Sequence, residues 1–225
     1  LHSATISLDG FEDDHEWMRG VKGSFSNASQ AIAILANEPT IKFDVVTCVN
    51  NRNYEKLGDL KEYLISIGLK SWRLFTVFPV GRASQDPDLQ LSNERFRGLM
   101  EFIKDTRKEG RIMASYGCEG FLGEYEGLVR DNLFTCQAGL SVSSVMIDGS
   151  ISACASIRSD FSQGNIYKDD FIDVWENHYQ PYRDRSWMKK GQCADCKYFR
   201  YCQGNGMHLR DENGDLILCH LSRLK

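Results

Sequence analysis

Apolar positions in the first half of the chain follow two alternating periods. Ala4–Leu8, Ile41–Cys48 and Trp72–Phe78 are short runs rich in β-branched and aromatic residues, the composition of buried strands. Between and after them, Ala28, Ala31, Ile32 and Leu35, then Leu57, Leu60, Leu64 and Ile67, then Phe96, Leu99, Met100 and Ile103 recur at intervals of three and four. Each set therefore lies on one face of a helix. Successive runs begin roughly 30–37 residues apart, the length of a βα unit, which predicts parallel α/β structure. Gly68 and Gly110 are natural helix stops, Ser92 and Asn53 are suitable N-caps, and Arg111–Ser115 can supply one more strand.

From Tyr116 the texture changes to short elements, frequent glycine and close cysteines, so the sequence divides into 1–115 and 116–225. Ser143–Ile147, Asp148-Gly149 and Ser150–Cys154 predict a hairpin, because Asp-Gly tolerates the positive φ angles of a two-residue turn. Asp170 can cap a short helix carrying Phe171, Val174, Trp175 and His178 on one face. Gln192 to Lys225 reads as loop, ordered by something other than an apolar core, and a metal centre would supply that order.

Composition narrows the function classes. The 225 residues are enough for a sizeable core without covalent staples. A net charge of −4 with no basic block argues against a nucleic-acid partner. No run of about 18 apolar residues exists to span a membrane, and Leu1–Gly10 lacks the features of a signal peptide. The expected compartment is the cytoplasm, where thiols stay reduced and closely spaced cysteines are more often metal ligands than disulfides.

The chain has 8 cysteines, below the density of a secreted disulfide scaffold. Cys193-x2-Cys196-x5-Cys202, with Cys219 beyond, offers four thiolates, two of which can bind one centre from a single turn. Spacing alone does not choose between zinc and iron–sulfur, since both accept four thiolates. His208 and His220 lie near enough to be zinc ligands, although packing or loop roles are the commoner use. Cys136 and Cys154 form a looser pair that needs further ligands, with Cys118 either a third ligand or a buried thiol. Cys48, inside a β-run, is expected in the core. The Trp and Tyr residues are expected mainly to pack, and Arg183, Arg185, Lys189 and Lys190 to form a solvated basic face.

The order Gly149-x4-Cys154, Gly164-Asn165-Ile166, a short Trp-bearing helix, Cys193-x2-Cys196-x5-Cys202 and Cys219 resembles the SPASM extension of radical S-adenosylmethionine (SAM) enzymes. That group includes anaerobic sulfatase-maturating enzymes and peptide maturases. The first half resembles their partial TIM barrel from its fourth strand onward: Ser7-Leu8-Asp9-Gly10 with His15, Arg19-Gly20 and Gly23-Ser24-Phe25, then Val45–Asn50 with Asn53, then Phe78-Pro79-Val80-Gly81-Arg82. The resemblance implies a half-barrel over 1–115 followed by a small cysteine-rich α+β domain over 116–225. It also implies an iron–sulfur oxidoreductase or maturase that modifies a peptide or protein with a 5′-deoxyadenosyl radical. Ser7, Asp9, Arg19 and Asn50 would contact SAM. Cys193, Cys196, Cys202 and Cys219 would hold an auxiliary [4Fe–4S] cluster, and Cys136, Cys154 and Cys118 a second, incomplete site.

Three departures qualify that expectation. The C-x3-C-x2-C set that holds the SAM-cleaving cluster is absent, so the chain looks like a C-terminal portion whose partner is the missing N-terminal half of the barrel, inactive alone. Gly206 stands where the family usually has a ligand of the first auxiliary cluster, and Ala155 where sulfatase-maturating enzymes carry an Asp. The catalytic residue is not indicated. The competing expectation is a non-catalytic peptide-binding module stabilised by iron–sulfur or by zinc, which can also substitute in a true cluster site.

Overall fold

The computed structural model describes residues 1–117 and 119–225, with the Arg82 side chain outside the description. The chain divides into two compact units, Leu1–Leu133 with Leu221–Lys225, and Phe134–His220.

The first unit runs β1 (Ser3–Ser7), α1 (Glu12–Arg19), α2 (Ser24–Ala36), β2 (Lys42–Val49), α3 (Leu57–Ser66), β3 (Ser71–Thr76), α4 (Asn93–Glu109) and β4 (Met113–Tyr116). The strands form one parallel sheet in the order β1-β2-β3-β4, with Ile6 opposite Val45 and Val45 opposite Trp72. Sequential order without a switch in direction is the arrangement of a barrel segment rather than a doubly wound sheet.

Strand alternation decides the faces. Val45, Thr47, Val49, Trp72 and Leu74 are buried with Leu57, Leu60 and Leu64 of α3, Phe96, Leu99, Met100 and Ile103 of α4, and Ile32 of α2. The helical stripes read from the sequence are thus the core. The opposite face is polar: Thr5 Oγ1 donates to Asp44 Oδ1 at 2.7 Å, Arg73 donates to Thr5, and Arg73 pairs with Asp44 across the sheet. Tyr116, Leu122 and Val129 join the first core, so the segment after β4 packs with the half that precedes it.

Local signals explain the ends. Ser92 Oγ accepts from the Arg95 amide at 3.1 Å, capping α4, and Gly110 ends it at φ 76°. Ser92→Ala is expected to cost about 1 kcal/mol in a urea titration, the usual value of an N-cap. Asn53 does not cap. Its side chain instead accepts from the Asn50 amide and donates to the Asp9 carbonyl. Helix α1 escapes the periodicity because its inward residues are polar, Asp14 and His15. Glu12, Asp13 and Asp14 in its first turn favour its dipole.

The second unit has a small antiparallel sheet, β5 (Ser144–Val145), β6 (Ser150–Ser152) and β7 (Gly164–Asn165). Ser144 faces Ser152, and the Met146 amide donates to Ser150, which leaves a three-residue loop, Ile147-Asp148-Gly149. The expected two-residue turn is therefore one residue longer, and Gly149 at φ 83° supplies the left-handed position that such a loop requires.

Asp170 Oδ1 caps α5 (Phe171–Asp173) at 2.9 Å, after which Val174–His178 widens to a π turn. That extra residue carries Tyr179 into the core, while His178, expected on the buried face, stays exposed. The short helices α6 (Gln180–Arg183), α7 (Phe199–Cys202) and α8 (His220–Arg223) complete the chain. Among the described residues no helix is long and apolar enough to cross a membrane.

Candidate cofactor site and metal centre

At the carboxyl ends of β1 and β2 the first unit gathers ionisable groups. Asp9, fully buried, pairs with Arg19 Nε at 2.6 Å through Oδ2 and accepts the Cys48 amide through Oδ1 at 2.9 Å. His15 Nδ1 accepts from the Asp9 amide at 3.0 Å, and burial holds the His15 pKa below its ordinary value. Asn50 Oδ1 accepts the Arg52 amide at 2.9 Å, closing the turn after β2.

The sequence-derived set Ser7, Asp9, Arg19 and Asn50 is therefore distributed over two adjoining strand ends and the end of α1. Asp9 and Asn50 are consumed in internal hydrogen bonds, Ser7 is half-buried, and Arg19 reaches solvent. A cavity of about 600 Å³ is lined by Trp17, Arg19, Val77, Val80, Asp86 and Leu89. Arg52 stacks 4.5 Å from the Trp17 ring centre.

Cys48 is not part of the helix-covered core. It lies half-buried on the polar face of β2, where burial, then the Asp9 and Glu119 carboxylates, push its thiol up to about 12. Glu119 was not apparent from the sequence. Its Oε2 accepts from the Thr76 amide at 2.9 Å, from Thr76 Oγ1 at 2.8 Å and from the Tyr116 hydroxyl. The single cue was an acid in a glycine-flanked segment, which composition alone reads as surface loop.

The second unit holds the thiols. Cys193 is buried, and Cys196, Cys202 and Cys219 are half-buried. Cys193 ends a single turn over Gly191–Cys193, and the Cys196 amide donates to its carbonyl at 3.3 Å, so the C-x2-C pair does share one reversal of the chain. Cys202 closes α7, followed by Gln203 at φ 47°, Gly204 at φ 83° and Asn205 at φ 76°, three successive left-handed residues.

Burial first, then the nearby Cys219 and Cys193 thiols, push Cys202 up to about 12. Hydrogen bonds from the Asn205 and Gly204 amides oppose the rise. A thiol whose ionisation two neighbouring thiols oppose, facing backbone N–H donors, suits a cationic metal core that draws it into thiolate form. Cys193 and Cys219 thus lie near Cys202, and Cys196 shares the turn of Cys193, a donor set whose chemistry fits a thiolate-bound metal centre. Among the described residues no three Cys, His, Asp or Glu side chains converge tightly enough for a single ion.

Cys136 and Cys154 both pack against the second core, and the Cys136 carbonyl accepts from Arg185 at 2.8 Å. Cys118 lies outside the described residues. His220 is buried and His208 half-buried.

A mixed α/β protein with a parallel barrel-like sheet and a separate thiol-bearing unit is the class that these features define. Residues 136–197 match the SPASM iron–sulfur cluster-binding domain. The chain is 24% identical over 233 residues to the AdoMet-dependent heme synthase of Nitratidesulfovibrio vulgaris, covering 96% of this chain and 62% of that protein. It is 24% identical over 207 residues to the subtilosin biosynthesis protein AlbA of Bacillus subtilis, covering 88% of this chain and 43% of that one.

Among solved structures, anSMEcpe with bound AdoMet and Kp18Cys peptide superposes with TM-score 0.66 at 20% identity, covering 98% of this chain and 64% of that one. Streptococcus suis SuiB bound to precursor peptide SuiA gives 0.65 at 17% identity, covering 90% and 48%. These likenesses tie residues 136–197 to the SPASM domain and the fold to solved radical SAM/SPASM proteins, and the chain spans less than two thirds of the length of these relatives.

Proposed function

We propose that the chain is part of a radical SAM/SPASM maturase that modifies a peptide or protein, with Cys193, Cys196, Cys202 and Cys219 as ligands of an auxiliary [4Fe–4S] cluster. The observation that carries this reading is the buried approach of Cys202 to Cys193 and Cys219 beneath the amides of Gly204 and Asn205. The match of residues 136–197 to an iron–sulfur cluster-binding domain supports a cluster above zinc.

In the first unit, Arg19 would engage bound SAM from the wall of the cavity, with Asp9 fixing the Arg19 guanidinium, and Ser7 and Asn50, outside that cavity's lining, are the further residues proposed to contact SAM. SAM, when bound and given one electron by a cluster of the N-terminal barrel half, would split into methionine and a 5′-deoxyadenosyl radical able to abstract hydrogen. The peptide class is supported by the two structural neighbours that hold peptides. The N-terminal half of a barrel, next to β1, is the further partner proposed.

A second reading, a non-catalytic peptide-binding module stabilised by metal, is favoured by Gly206, which stands at the sequence position where the family usually has a ligand of the first auxiliary cluster. Anaerobic reconstitution with ferrous iron and sulfide separates the two. Uptake of both iron and labile sulfide is expected; stoichiometric zinc binding with no sulfide uptake would overturn the cluster assignment in favour of the module.

A further inference from the structure

We propose that Arg210 is the resident counter-charge of the four-cysteine centre and sets its reduction potential; this rests on the cluster reading above. Arg210 follows the single turn Met207–Leu209 and is 0% exposed, the largest charged residue among the fully buried described residues. Its Nη1 donates to the Gly214 carbonyl at 3.2 Å, and its Nη2 donates to the Gly204 carbonyl and lies 3.7 Å from Cys193 Sγ. Its Nε is buried with no hydrogen-bond partner. Among the described residues, no carboxylate lies within ion-pair distance of this guanidinium.

A guanidinium does not shed its proton in a protein, so this charge is permanent. A buried charge without an opposite charge is strongly unfavourable, and two backbone carbonyls supply dipoles rather than a counter-ion. The anion that the surroundings can supply is the metal–thiolate centre at Cys193. A [4Fe–4S] core of charge 2+ with four cysteine thiolates carries a net charge of 2−, and one added electron makes it 3−. A fixed cation buried at hydrogen-bonding range from a ligand sulfur stabilises the more negative state, because low local dielectric weakens the screening between them.

Access to this position is built into the backbone. At Gly204, φ 83°, a Cβ would come within 2.8 Å of Arg210 Nη2 and 2.6 Å of Met188 Cβ, so glycine leaves the space that the guanidinium fills.

The test is redox titration of the anaerobically reconstituted chain. One electron passes from the electrode to the core, with no bond broken and no proton transferred. Arg210→Gln is expected to lower the reduction equilibrium constant at least tenfold, about 59 mV for one electron. Arg210→Lys, which keeps the charge, should stay closer to the wild type than to Arg210→Gln. Lys189→Gln, which removes an exposed cation of the same unit, should leave the potential unchanged.

A loaded Arg210→Gln with the wild-type potential would overturn the inference alone. So would loss of the centre to the same extent in both Arg210 variants, since that pattern belongs to packing and carbonyl bonding. A wild-type chain that takes up no labile sulfide would overturn the cluster reading and this inference with it.

Discussion

Cys202→Ser is expected to strip the four-cysteine centre of its iron and labile sulfide, leaving at most what the Cys136 and Cys154 site retains. Cys202 is the thiol at which the arrangement converges, with Cys193 and Cys219 near it and the Gly204 and Asn205 amides turned toward it. Serine keeps the shape but gives a hard oxygen whose proton is held far more tightly than a thiol's, so it ligates iron poorly at neutral pH.

The consequence should extend beyond metal content. Residues from Gly191 to Cys219 form only short helices and turns, so part of the free energy of metal binding is folding free energy for that stretch. Colorimetric iron and sulfide assays check the first effect, and protease susceptibility of the Gly191–Cys219 segment the second. Cys48→Ser serves as the contrast and should load like the wild type, because Cys48 belongs to the other unit. Equal metal and sulfide in wild type and Cys202→Ser would mean that the ligand assignment is wrong.

Trp72→Ala is expected to lower the unfolding free energy of the first unit by about 3–5 kcal/mol, the range for truncating a large buried aromatic. Trp72 is 0% exposed on β3, meets Phe102 edge-on at 5.9 Å, and donates from Nε1 to Thr47 Oγ1 at 2.8 Å. Thr47 in turn donates to the Leu8 carbonyl at 2.6 Å, so the indole terminates a buried chain of hydrogen bonds linking three neighbouring strands. Truncation leaves a cavity and removes one link. Trp72→Phe keeps most of the volume and loses mainly the hydrogen bond, for a smaller cost of about 1 kcal/mol. Urea titrations of the three proteins give the ordering wild type, Trp72→Phe, Trp72→Ala; equal midpoints for the first and last would contradict the packing described.

The sheet was readable because its buried face is apolar at every second residue and its helices at every third or fourth. Val45, Val49, Trp72 and Leu74 meet Leu60, Leu64, Phe96 and Leu99 as those periods require. Helix α1 was not, because it turns Asp14 and His15 inward to serve the strand ends rather than a hydrophobic core. The π turn at Val174–His178 was also invisible, since inserting one residue into a helical repeat leaves no mark in composition while exchanging His178 for Tyr179 on the buried side.

In the thiol region, cysteine spacing named the ligand candidates. Nothing in the spacing distinguishes Arg210 from the other cations around it, because charged residues are read as exposed unless tertiary structure buries them. The left-handed run at Gln203, Gly204 and Asn205 was only half visible: Gly and Asn favour that conformation, whereas Gln203 adopts it under tertiary constraint.

The last five residues bear on how the centre comes together. Leu221–Lys225 belongs to the first unit, where Arg223 donates to the Leu91 carbonyl at 2.7 Å and stacks 4.2 Å from the Phe96 ring centre. Cys219 stands two residues before that anchored tail. Once the first unit is folded, the fourth thiol is no longer at the end of a freely wandering chain, and the entropy of closing its loop onto the other three is already reduced. Loss of the tail's anchorage should therefore slow cluster assembly without altering a single ligand.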